Sequence, residues 1–140
     1  LFRSKTMKKT ILALVSLAFV VASCNCQKGE CEKEENNFSL IGKKAKLTYP
    51  NMVAEVNYLN DSTIYWKTTA ANDSVSEEKD LLKIEKIDDD KFFVNWIEND
   101  GTTVSQVIDL EEKTVKAFLT FEDGSGKRIS QMLEGKYELE

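Results

Sequence analysis

The sequence contains no histidine and only one proline among its 140 residues. Without histidine there can be no Ser-His-Asp or Cys-His catalytic arrangement and no histidine-ligated metal. The chain also has no glycine-rich phosphate loop, and Cys24, Cys26 and Cys31 are its only cysteines. The candidates for a functional site are therefore aromatic, carboxylate and hydroxyl side chains, and we expect no cofactor and no bound metal.

The first 23 residues have the organisation of an export signal. A positive pair, Lys8-Lys9, precedes the apolar stretch 11–22, which is too short to span a bilayer, since about 20 residues are needed. Val21-Ala22-Ser23-Cys24 then resembles the lipobox of bacterial lipoproteins, in which the chain is cut before the cysteine and the sulfur is lipidated. We predict that residues 1–23 are upstream residues and a signal peptide. The alternative is an ordinary signal peptide followed by an unrelated cysteine.

Residues 24–37 are polar and charged, and we predict a lipidated, flexible tether. Cys26 and Cys31 lie in it and could form a disulfide or remain thiols. Cleavage would lower the count of basic residues from 19 to 15, against 24 acidic residues, for a net charge of −9. We expect no nucleic-acid binding at this charge, and membrane attachment through the lipid on Cys24. The predicted location is the bacterial cell envelope, and the acidic tether favours the outer membrane.

Residues 38–140 are predicted to form a single β-domain. Clusters of Asn, Asp and Gly recur at short intervals, and such clusters favour tight hairpins. The segments between them are rich in β-branched and aromatic residues that alternate with polar ones, as half-buried antiparallel strands do. We predict eight strands, at 43–49, 52–59, 62–69, 79–87, 91–98, 102–109, 114–121 and 127–134.

Eight hairpin-linked strands favour an all-β fold, an antiparallel up-and-down β-barrel wide enough for one small ligand. A two-sheet sandwich is the alternative. Segment 77–87 also fits a helical stripe, but its neighbours favour a strand. The short tail Tyr137–Leu139 is predicted to add to a sheet edge.

Two residues stand out as possible proton-handling groups. Glu98 shares the inward parity of Val94 and Trp96, so its carboxyl group could lie inside with a raised pKa; alternatively, it reaches water at the strand end. Tyr49 shares a face with Leu47 and could place its hydroxyl inside, or simply pack in the core. Trp66 is expected in the core or in a pocket wall. The candidate pocket residues are Leu47, Tyr49, Trp66, Val94, Trp96 and Glu98.

The order of several motifs resembles the MoaF-like and phenolic acid decarboxylase group. The segments that carry the resemblance are Leu47-Thr48-Tyr49-Pro50-Asn51, Tyr58-Leu59-Asn60-Asp61-Ser62-Thr63-Ile64 and, most specifically, the W-x-E-x-x-G-T-x-V run from Trp96 to Val104. The resemblance implies a lipocalin-like barrel. It places Glu98 at the decarboxylase glutamate position and Tyr49 at the second tyrosine of a Y-T-Y motif.

This chain departs from the decarboxylase pattern at two points. Leu47 replaces the first tyrosine, and arginine is absent throughout residues 24–127. Lys67 or Lys79 could take the place of the missing cation, although a lysine is a poorer match to a carboxylate than a bidentate arginine. We therefore predict a membrane-anchored barrel that binds a small, partly apolar ligand. The alternatives are an enzyme that uses Glu98 and Tyr49, and a structural or interaction lipoprotein with a filled barrel.

Overall fold

A computed structural model describes residues 37–140. The predicted leader, the lipidation site at Cys24 and the tether up to residue 36 lie outside the described residues. Residues 37–140 form one closed antiparallel barrel in which each strand pairs with the next and the last pairs with the first, as predicted. The strands are β1 (Lys44–Tyr49), β2 (Met52–Asn60), β3 (Thr63–Ala70), β4 (Val75–Lys86), β5 (Lys91–Ile97), β6 (Thr103–Asp109), β7 (Thr114–Glu122) and β8 (Arg128–Leu139).

Alternation along the strands builds the interior. In β1 the buried residues are Ala45, Leu47 and Tyr49, and the residues between them face outward or are half-buried. The turns lie where Asn, Asp and Gly cluster, and Asp73 and Gly101 adopt the positive φ angles that such turns require. Because the barrel of residues 37–140 is closed, each strand is hydrogen-bonded to a neighbour on both sides and no sheet edge remains open. Among residues 37–140, no helix is long and apolar enough to cross a membrane.

Two strands differ from their predicted bounds by more than one residue. The fourth begins at Val75, four residues before the predicted start, because its ladder with β3 extends to the Thr69–Val75 pair. The eighth runs without interruption to Leu139, and Tyr137 pairs with Leu47 of β1. The predicted tail at Tyr137–Leu139 is thus the part of β8 that closes the barrel, not an addition to an edge.

The strand identity of segment 77–87 is confirmed, and the structure explains its ambiguous pattern. Asp80 and Leu82 are buried, whereas Leu81 points outward with 79% of its surface exposed. A polar residue therefore occupies an inward position while an apolar one occupies an outward position. This exchange weakens the period-two signal that would mark a strand.

One end of the barrel is covered by residues 37–43, which we call the strap. Leu40 is buried in the core, and the ring of Phe38 packs edge-on against Phe92 with centroids 6.0 Å apart. Gly42, at φ +77°, turns the strap into β1 and donates its N–H to the Tyr58 carbonyl at 2.7 Å. The barrel at this end, below called the packed end, is filled by the strap and by core side chains.

The packed end contains a buried pair of tyrosines. Tyr58 and Tyr137 are 0% and 1% exposed, and the Tyr137 hydroxyl donates to the Tyr58 hydroxyl at 3.3 Å. Burial raises the pKa of Tyr137 to about 12 and that of Tyr58 well above its ordinary value. Both hydroxyls stay protonated, and this hydrogen bond partly offsets the desolvation of two buried polar groups.

Candidate functional site

The other end of the barrel contains a cavity of about 220 Å³. It lies below the β3–β4 turn (residues 71–74) and the β5–β6 turn (residues 98–102). Most of its wall is apolar, and all eight strands and the β5–β6 turn contribute to it. The lining residues are Tyr49, Met52, Ala54, Val56, Trp66, Thr68, Ser76, Trp96, Glu98, Val104, Gln106, Ala117, Leu119 and Leu133.

Two indole rings form part of the wall, and each is fixed by a carboxylate. The Trp66 Nε1 donates to Asp80 Oδ2 at 2.7 Å, and the Trp96 Nε1 donates to Glu98 Oε1 at 3.4 Å. Trp66 and Trp96 are both buried. These bonds satisfy the only polar atom of each ring, so the rings present apolar π-surface to the cavity.

Among the described lining residues, Glu98 is the only one with an ionisable carboxyl group. It follows the last residue of β5 and is half-buried. Burial raises its pKa to about 7, and the negative charges of Asp100, Glu78 and Asp80 raise it further, whereas the hydrogen bond from Trp96 opposes the rise. The carboxyl group therefore changes its charge near neutral pH.

A second polar group lies deeper, between β1 and β6. Gln106 is 5% exposed, and its Nε2 donates to the Tyr49 hydroxyl at 3.3 Å. Burial raises the pKa of Tyr49, so this hydroxyl stays protonated. The other amide atom, Gln106 Oε1, is buried without a hydrogen-bond partner among the described residues. A buried acceptor in this state destabilises the fold by about 1–3 kcal/mol.

A glycine in β8 makes room for Tyr49. A Cβ atom at Gly135 would lie 2.6 Å from the Thr48 carbonyl oxygen and 2.8 Å from Cδ1 of the Tyr49 ring. Both distances are too short for any residue with a side chain. The absence of a Cβ therefore allows β8 to approach β1 while the tyrosine ring keeps its place in the cavity wall.

Among residues 37–140, no lysine or arginine lines the cavity. Lys67 instead lies 4.0 Å from Glu55 on the outer surface, and Lys79 is exposed. Arg128 is also outside, where its guanidinium donates to the Gly101 carbonyl at 2.9 Å. Residues 37–140 also contain no group of three potential ligands that could hold a metal ion.

The structure brings together four of the six predicted pocket residues. The residues that line the cavity are Tyr49, Trp66, Trp96 and Glu98. The sequence allowed Glu98 to lie either inside the barrel or in water at the strand end. In the structure it lies at the strand end and is also partly enclosed. Leu47 and Val94 do not line it. They face inward as predicted, but they are fully buried in the packed core, one step further along β1 and β5.

Gln106 is absent from the predicted site residues, although a signal for it exists. It alternates with Val104 and Ile108 in β6, and both are buried. A polar residue at an inward position between two apolar ones is unusual enough to mark a candidate site. The same signal marks Asp80, which precedes the buried Leu82 by two residues in β4.

A model of the MoaF-like family matches residues 41–134, well over half of the chain. The chain belongs to the MoaF-like family. The match begins in the strap and ends within β8, so it includes every residue that lines the cavity, from Tyr49 to Leu133. It confirms the family resemblance predicted from the motifs between Leu47 and Val104.

A solved structure has the same fold. It is a Burkholderia vietnamiensis protein, described as a provisionally assigned beta-lactamase, with a TM-score of 0.64. Sequence identity is 19%, and the similarity covers 74% of this chain and 97% of that chain. At this identity the similarity establishes the fold alone. No curated protein gives a significant match to this chain.

Proposed function

We propose that this MoaF-like barrel binds a small, partly apolar molecule. The observation that carries the proposal is the cavity of about 220 Å³ with two indole rings in its wall. An apolar cavity of about 150 Å³ binds benzene, so this one suits a single ring with a short substituent. Its few polar groups, Glu98, Gln106 and Tyr49, are placed to orient such a ligand.

The test is native mass spectrometry of the full chain purified from its own host. We expect a small molecule to remain bound and to appear as an additional mass on the protein. The Ala117→Phe variant fills the cavity from β7 and should lose that mass, whereas Ala71→Phe, the same substitution in an exposed turn, should keep it. Thermal unfolding of both variants checks that they fold. If a folded Ala117→Phe variant retains the ligand at full occupancy, the cavity is not the binding site.

We also propose that the barrel is anchored to a bacterial membrane through a lipid on Cys24. The support is the spacing of Lys8-Lys9, the apolar stretch 11–22 and the lipobox-like Val21-Ala22-Ser23-Cys24. Substitution of Cys24 with Ser should release the protein from the membrane fraction. A Cys26→Ser variant is the matched control and should stay with the membrane. A membrane-bound Cys24→Ser protein would contradict the anchor.

An enzyme of the decarboxylase type is the second candidate function. Its support is that Tyr49 and Glu98 line the same cavity and that the pKa of Glu98 is raised to about 7. The part of the cavity wall that the structure describes, however, has no lysine or arginine to hold a substrate carboxylate. We therefore expect hydroxycinnamate-like acids to remain unchanged on incubation with the protein. Their consumption, if abolished by Glu98→Gln, would establish the enzyme instead.

A further inference from the structure

Building on the binding function proposed above, we propose that the cavity selects ligands whose apolar body ends in a protonated amine. The polar groups of the cavity carry this inference, because the one charged side chain among the described lining residues, Glu98, is an acceptor with hydrogen-bonding capacity left. The ligand class follows from three independent features: the free acceptors, the aromatic wall and the sign of the surrounding charge.

The indole N–H donors of the cavity already have partners within the protein, since Trp66 and Trp96 donate to Asp80 and Glu98. The donors left for a ligand among the described lining residues are neutral: the second N–H of Gln106 and the hydroxyls of Tyr49 and Ser76. A ligand carboxylate would therefore meet no cation among these residues.

The acceptors, by contrast, have capacity left. The Glu98 carboxylate accepts one long bond from Trp96, and carboxylate oxygens can accept several. Gln106 Oε1, in a side chain that is 95% buried, accepts none. A ligand N–H that reaches Gln106 Oε1 would give this atom a hydrogen-bond partner. The free energy that the unpaired atom costs in the empty site would then add to the free energy of binding.

The aromatic wall suits a cation as well as an apolar body. Trp66 and Trp96 both line the cavity, and indole is the side chain that attracts cations most strongly through its π-face. An ammonium group near Glu98 would also lie near the Trp96 ring that donates to this carboxylate. The remaining wall, which includes Ala54, Val104 and Leu119, can enclose a ring or a short chain.

The surrounding charges have one sign. Asp100 in the β5–β6 turn and Glu78 and Asp80 in β4 all act on Glu98. Their field favours a cationic ligand and repels an anionic one. Because a bound ammonium favours the ionised carboxylate, affinity for an amine should rise as pH increases through about 7, the pKa of Glu98.

The experiment is calorimetric titration of the full chain with three probes of similar size: 2-phenylethylamine, 2-phenylethanol and phenylacetate. At about pH 8 we expect the amine to bind about tenfold more tightly than the alcohol, since a hydrogen bond to a charged group exceeds a neutral one by about 1.4 kcal/mol. Phenylacetate should bind most weakly. The preference for the amine should fall about tenfold between pH 8 and pH 5.5.

Glu98→Gln should reduce the preference for the amine to about twofold or less and remove its pH dependence. Glu112→Gln, on the exposed β6–β7 turn, is the matched control and should leave both unchanged. Binding of the alcohol as tight as that of the amine would overturn the amine proposal and leave the binding function intact. Failure of all three probes to bind would contradict both proposals.

Discussion

The two ends of the barrel differ in how fully their interior is packed and in whether their buried polar groups are paired. At the packed end the interior is filled, and the two buried tyrosine hydroxyls pair with each other. At the cavity end the interior is left open, and Gln106 Oε1 has no hydrogen-bond partner among residues 37–140. Because unpaired polar atoms and voids both destabilise a fold, the packed end contributes more to stability than the cavity end, as the proposed binding of a ligand at the cavity end would require.

The largest expected effect tests whether the two ends contribute differently to stability. Leu47→Ala, in the packed core, should lower the free energy of unfolding by about 3 kcal/mol because it leaves a cavity in close-packed surroundings. Leu133→Ala, in the wall of the existing cavity, should lower it by about 1 kcal/mol, since that side chain is only half-buried. Urea unfolding measures both, and equal losses would contradict the distinction between the ends.

A second substitution tests the close approach of β8 to β1. Gly135→Ala should lower the free energy of unfolding by about 2 kcal/mol, because the new Cβ would overlap the Thr48 carbonyl oxygen and the Tyr49 ring. Gly124→Ala is the matched control, since nothing lies within 4 Å of its added Cβ. Thermal unfolding of the two variants should therefore separate them clearly. Equal melting temperatures would show that the approach is not tight.

The third prediction concerns pH. The folded-state pKa of Glu98, about 7, lies above its ordinary value of 4.5, so the folded protein binds the proton more tightly than the unfolded chain. Stability from this residue is therefore present at low pH and is lost as pH rises towards 7. Glu98→Gln should stabilise the protein by about 1 kcal/mol above pH 7, a value kept small because the side chain is half exposed. The gain should vanish below about pH 4.5.

Urea unfolding of Glu98→Gln at a series of pH values measures this difference. Glu112→Gln, whose side chain lies on an exposed turn, should show no pH-dependent gain in stability. A stabilisation by Glu98→Gln that is the same at every pH would contradict the raised pKa of Glu98 in the folded protein.

The smallest effects test how the two ends satisfy their polar groups. Tyr58→Phe removes one partner of the hydroxyl pair at the packed end and should lower the free energy of unfolding by about 1 kcal/mol. Gln106→Leu removes an amide with one unpaired atom and should raise it by about 0.5 kcal/mol. The signs should be opposite in chemical denaturation. A lower free energy of unfolding for Gln106→Leu would show that Gln106 stabilises the fold despite its unpaired oxygen.

The sequence allowed the strand count, the barrel and the inward faces to be predicted, because period two records which side of a sheet a residue faces. It does not record depth along the barrel. Leu47 and Tyr49 share a face and lie two residues apart, yet Leu47 is in the packed core and Tyr49 is in the cavity wall. A step of about 7 Å along a strand separates these environments. The depth of each residue depends on strand tilt and register in the closed barrel.

Other features depend on partners that lie far away in sequence. The contact of Gly135 with Tyr49 and the bond from Gln106 to Tyr49 join strands that become neighbours or face each other only when β8 pairs with β1. Local patterns carry no information about such pairs. The raised pKa of Glu98 likewise depends first on burial in the folded barrel, and then on the charges of Asp100, Glu78 and Asp80, of which β4 brings the last two near from about twenty residues away.

The strap determines the side from which the chain enters the barrel. The described chain begins at residue 37, at the packed end, and the cavity rim around residues 71–74 and 98–102 lies at the other end of the barrel. The connection to the preceding residues and the mouth of the cavity are therefore separated by the full length of the strands.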